Sequence, residues 1–148
     1  MFAFYTQFIL ETIRAEKAPS SNGVYETTNV IINEGLADLF HKMLCARPEP
    51  EGFAIQNMRR ISECMCFATK RSSTICEYMV GKSIPREIFK YLKTEKLDPE
   101  QHPKLMLNED VRECVIDLMN TLHHVMKVCR VFLKRSKNQE YNMDIFYC

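Results

Sequence analysis

The stretch NEDVRECVIDLMNTLHHVMKVCRVFLKRSK, residues 108–137, reads as one long amphipathic helix, and that reading decides the fold class. Val111, Val115, Leu118, Leu122, Val125, Cys129 and Phe132 alternate steps of four and three, which keeps them on one helical face. Asn108 can cap the helix, with Glu109 and Asp110 in its first turn. Lys127, Arg130, Lys134 and Arg135 follow in its last turns, so both signs suit the helix dipole. No Pro or Gly interrupts the stretch, although a bend near Asn120–His124 would divide it.

The same period recurs upstream. Leu36, Leu39, Phe40, Met43 and Leu44 fall on one helical face, with Gly35 marking the start of this pattern within a helical region that begins at Tyr25. Further helical patterns run through Phe53–Thr69, Ser72–Val80 and Ile84–Leu92. Ser83 is the expected N-cap of the last, and Pro85 sits in its first turn. An opening helix is expected over Phe2–Lys17, with Phe4 and Phe8 close to the side carrying Ile9, Leu10 and Ile13. Ala18–Gly23, Arg47–Gly52 and Thr94–Leu107 read as loops by composition. No segment sustains a period of two, so the expected class is all-α, with one domain over 1–137 and a tail over 138–148.

Composition narrows the function classes. The 148 residues are 46% hydrophobic and carry 4 Gly and 6 Pro, which excludes collagen-like and wholly disordered chains. A chain this long can bury about 70% of its unfolded surface, enough for a core. Twenty basic side chains face nineteen acidic ones, so no global charge draws the chain to nucleic acid or acidic membranes. No stretch approaches the roughly 18–20 apolar residues of a membrane span. The beginning lacks the basic and apolar regions of a signal peptide, and the seven cysteines are odd in number without framework spacing. Reduced thiols in the cytoplasm or nucleus are therefore expected.

Catalytic and metal signatures are sparse. Cys64 and Cys66 would stand about 200° apart around a helix, and His123 and His124 diverge likewise, so neither pair has zinc-ligand spacing. No phosphate-cradling glycine loop, nucleophile elbow or metalloprotease signature is present. The expectation is a non-enzyme with neither metal nor cofactor. A basic stripe of His123, Lys127, Arg130, Lys134 and Lys137 has no interleaved aromatic residue for stacking bases, which disfavours nucleic acid. Ile116 and Val131 break the amphipathic pattern on that helix, pointing away from its main apolar stripe.

An internal comparison adds a register. Residues 34–44 align with residues 82–92, placing Leu36 on Ile84, Phe40 on Ile88 and Leu44 on Leu92 at an offset of 48. Each copy precedes a Pro-containing loop and a new apolar helix. Residues 74–92, with Ile84–Pro85 at a helix start, resemble the closing helices of an armadillo repeat, and residues 110–122 resemble the opening of a following unit. In place of the family's glycine before the Ile-Pro pair stand Lys82 and Ser83. The resemblance covers about 29–127 and implies an armadillo-like or HEAT-like block of about two units, against the alternative of a single irregular helical bundle.

The resemblance also implies a function: a protein-interaction module, a scaffold or adaptor, that binds a protein or peptide segment in a groove. Its polar groove positions would be Asp38, His41 and Lys42 in the first copy and Arg86, Lys90 and Lys93 in the second. Lys42, Arg86, Lys90 and Lys93 are the expected partner-binding residues and would suit an acidic segment. The groove ladder with which some family members read nuclear-localisation peptides needs Trp, and this chain has none. The alternative function is a globular helical regulator of the death-inhibitor type that holds an amphipathic partner helix. The apolar beginning (Phe2, Phe4, Tyr5, Phe8) and end (Ile145, Phe146, Tyr147) are further candidates, for capping or for self-association.

Overall fold

The computed structural model describes residues 1–135, with side chains through Arg130. The expected tail, Lys137, Cys148 and the side chains of Val131, Phe132 and Lys134 lie outside the described residues. Within them the chain is helical, with no strand. The helices are α1 (Phe2–Ala15), α2 (Glu26–Ile31), α3 (Ala37–Cys45), α4 (Gly52–Arg71), α5 (Ser73–Gly81), α6 (Ile84–Leu92) and α7 (Glu109–Arg135). None is long and apolar enough to cross a membrane.

The long helix forms without a break at Asn120–His124. Its N-terminus is capped as the sequence predicts: the Asn108 Oδ1 accepts from the backbone N–H of Asp110 at 2.9 Å and of Val111 at 3.4 Å. Ser83 behaves differently. It takes a left-handed conformation with φ 60° and caps nothing, because the chain turns there between α5 and α6. The cap nearby belongs instead to Ser72, whose Oγ accepts from the Ile75 N–H at the start of α5. Glu16 caps α2 from the preceding segment, accepting from the N–H of Thr27 and from both the N–H and hydroxyl of Thr28. Gly35, at φ 152° and ψ −23°, breaks the path from α2 into α3 through a widened turn at Ile32–Leu36.

The core gathers around α4, which packs against α1, α3, α5 and α7, most extensively against α7. Ile61, Cys64 and Ala68 of α4 are buried, as are Ile55, Met58, Ser62, Met65 and Thr69 on the same helix. Toward α1, the Cys64 thiol donates to the Thr6 carbonyl at 3.5 Å. Arg71 donates to the Ile13 and Glu16 carbonyls, closing the C-terminus of α1, and its guanidinium stacks on Tyr25 and Phe67 at 4.5 and 4.6 Å. Toward α7, Arg59 pairs with Asp110 at 2.7 Å, Ser62 meets Cys114 at 3.8 Å, and Thr69 bonds His124 at 3.0 Å. Residue numbers rise together along each pairing, so α1, α4 and α7 run parallel. Cys64 and Cys66 diverge as their spacing predicts: Cys66 turns instead toward Asp117 and Thr121 of α7.

A further expectation is corrected. Phe4 and Phe8 face solvent, 84% and 67% exposed, because the buried stripe of α1 is Thr6, Ile9, Leu10 and Ile13. Thr94–Leu107 is a connecting segment, as its composition reads, with 3-10 turns at Glu95–Leu97 and Leu105–Leu107 that bury Leu97 and Leu105.

Candidate functional site

The helices aligned by the 48-residue register, α3 and α6, pack against each other. Leu36, Phe40 and Leu44 of the first copy are buried, as are Ile84 and Ile88 of the second, and Leu92 packs at the edge of the core. Tyr91 deepens this seam from α6. Fully buried, it donates its hydroxyl to the Pro48 carbonyl at 3.0 Å, which fixes the chain after α3. Lys96 adds to that hold, donating to the Arg47 carbonyl at 2.8 Å and pairing with Glu49 at 2.7 Å.

The four expected binding residues do not all face solvent, since the Nε of Arg86 is enclosed. Lys42 is exposed on α3, Lys90 is exposed on α6 and Lys93 at its C-cap, and Arg86 is half-buried. At positions i, i+4 and i+7, Arg86, Lys90 and Lys93 share a face of α6. Their stripe is not free of counter-charge. Lys90 lies 3.8 Å from Glu87, and the Lys93 ammonium rests 4.6 Å over the Phe89 ring. Asp38 is exposed and His41 half-buried on α3.

Glu87 is the residue that sequence reading missed. It reaches from α6 toward α3, where its Oε2 pairs with Arg47 at 2.9 Å. Burial alone would raise its carboxyl, but the hydrogen bond and charge of Arg47, then the Cys45 thiol and Lys90, hold it below the usual carboxylate range. Cys45 feels the reverse, because partial burial and then the Glu87 carboxylate push its thiol up, against Arg47 and Lys90. No pattern in the sequence marks it, because its partner Arg47 lies 40 residues away along the chain and arrives only through packing.

Two other surfaces could take a ligand. A cleft of about 430 Å³ opens between α1 and α4, lined by Phe4, Phe8, Gln7 and Glu11 and closed by Arg60. A depression of about 800 Å³ lies between the Glu49–Glu51 segment and the Glu95–Leu105 loop, lined by His102, Glu95 and the Lys96–Glu49 pair. No serine, threonine or cysteine stands in its lining, so His102 has no nucleophile there to activate. The basic stripe on α7 is exposed at His123, Lys127 and Arg130, and Ile116 is half exposed, as its off-stripe position predicts. Arg59 and Arg71 of α4 serve structural contacts with Asp110 and with the end of α1.

Comparison of the chain with family models, curated proteins and solved structures returned no match. Geometry and chemistry therefore carry the functional reading.

Proposed function

We propose that this chain is a non-enzymatic interaction module that takes an acidic protein segment across the outer face of α3 and α6. The observation that supports this reading is the contact between those two helices together with the exposure of Lys42, Lys90 and Lys93. The matched burial of Leu36 with Ile84 and of Phe40 with Ile88 suits an armadillo-like register and a single bundle equally. The single-bundle alternative is supported by the four helices gathered around α4.

A second reading, the death-inhibitor type, is favoured by the α1–α4 cleft, where Phe4 and Phe8 offer apolar contacts to a partner helix. The two readings predict different mutants. Each rim lysine contributes about 0.2–1 kcal/mol if its pairing is exposed. Lys42→Glu with Lys90→Glu should weaken capture of partners by the immobilised chain and flatten its salt dependence, with Tm nearly unchanged. Phe4→Asp with Phe8→Asp should leave that capture intact. If the aromatic pair abolishes capture and the lysine pair does not, the binding face is the α1–α4 cleft.

A further inference from the structure

The donor atoms of His41, Cys45 and Glu87 all lie within 4.8 Å of one another. His41 and Cys45 stand one turn apart on the same side of α3, and Glu87 enters from α6. We propose that these three side chains form a zinc-binding site at the α3–α6 seam. The spacing sought in the sequence was cysteine with cysteine or histidine with histidine. A histidine and a cysteine at i and i+4 on a helix converge just as well, and only the tertiary contact supplies the third ligand.

The donor set suits the ion. Thiolate, imidazole and carboxylate are the three ligand types that zinc accepts, and three protein ligands leave the fourth tetrahedral position to water. With bonds of 2.0–2.3 Å, tetrahedral donors stand about 3.5 Å apart, so the present cluster must close by roughly 1 Å. Side-chain rotation can supply that, since Cys45 is exposed and His41 half-buried. On binding, the Cys45 S–H bond breaks, its proton leaves to solvent, and the sulfur lone pair forms the bond to zinc. His41 ligates through the lone pair of a ring nitrogen. The Glu87 Oε2 stays with Arg47, which fixes the carboxylate plane as a supporting contact, and Oε1 turns to the ion. Lys90, 3.8 Å from Oε1 and exposed, swings outward. Arg47 and Lys90 repel the incoming cation, and this repulsion sets the limit on affinity. Cys64, Cys76 and Cys114 cannot compete, being sealed in the core.

The test is titration of the full chain with Zn2+ and, as a spectroscopic stand-in, with Co2+. One equivalent should bind, and cobalt should show thiolate-to-metal charge-transfer absorption. Cys45→Ser should abolish that absorption. His41→Ala and Glu87→Gln should each weaken binding by at least about tenfold, the scale on which even supporting contacts of a ligand act. Cys66→Ser should change neither. A measurement on the unaltered chain guards against variants that fail to fold: zinc should protect Cys45 selectively from alkylation, read by peptide mass spectrometry. Binding that persists in Cys45→Ser, alkylation of Cys45 unaffected by zinc, or the absence of a stoichiometric site would each overturn the proposal.

Discussion

Asp117 lies on the side of α7 that faces α4, where the Cys66 thiol donates to it while Glu63 and Glu113 repel it. Burial, then those two carboxylates, push its carboxyl up to about 6, against the charge of Arg59 and the Cys66 hydrogen bond. Because the folded value is raised, the native chain holds a proton that the unfolded chain has released between about pH 4 and 6. Stability from this group therefore falls as pH rises through that window. The full shift would be worth about 3 kcal/mol, but solvent at a half-buried site screens it to the order of 1 kcal/mol. Asp117→Asn should accordingly gain about that much on the unaltered chain between pH 4 and pH 7, measured by urea unfolding. An equal difference at both values would remove the assigned cause. Little of this was legible in the sequence. Helical period puts Asp117 beside the apolar stripe of α7, but Glu63 lies far away along the chain and arrives only through packing. The thiols of Cys64, Cys76 and Cys114 show the opposite case. Their apolar surroundings were readable, and burial pushes each up to about 12, which keeps them protonated and inert.

Gly35 and Gly81 separate two ways in which one residue type shapes a helix. A Cβ at either position would meet nothing within 4 Å, so space does not distinguish them. Backbone conformation does. Gly35 sits at φ 152°, where an L side chain is strained, whereas Gly81 lies in the last turn of α5. Gly35→Ala should destabilise the chain by about 1–3 kcal/mol, and Gly81→Ala should stabilise it by about 0.5–1 kcal/mol. Thermal unfolding followed by circular dichroism would show the two changes with opposite signs, and a common sign would contradict the conformational account. At this scale the sequence was most readable. Apolar period locates α3, α4, α6 and α7, and Asn108 announces the start of α7. Ser83 misled because a cap residue is recognised by type, while capping requires an extended conformation that the tight passage from α5 to α6 denies it. Phe4 and Phe8 misled because aromatic bulk suggested a core that the narrower Thr6, Ile9, Leu10 and Ile13 stripe already fills.

Across the whole molecule, the sequence specifies which face of each helix is apolar and leaves open which neighbour covers it. The 48-residue register came nearest to a tertiary prediction, since its two copies do touch, yet nothing in it foretold the Arg47–Glu87 pair that ties them. Nor does any pattern reveal that α1, α4 and α7 share a direction, because direction depends on how the intervening segments carry the chain back. That shared direction has a mechanical side. α1 lies along the second half of α4, its start near Arg60, and α7 continues roughly 13 Å past the end of α4. A load applied between the start of α1 and the far part of α7 would slide the three helices lengthwise over one another. It could not peel one away turn by turn. The Cys64–Thr6, Arg71–Ile13, Arg59–Asp110 and Thr69–His124 contacts would bear that load together and give way together. Optical-trap extension from handles at Phe2 and Arg130 should show one abrupt rip, whereas handles at Phe2 and Ala15 should draw α1 out at lower force. A stepwise yield in the first geometry would mean that the three helices do not resist shear as a unit.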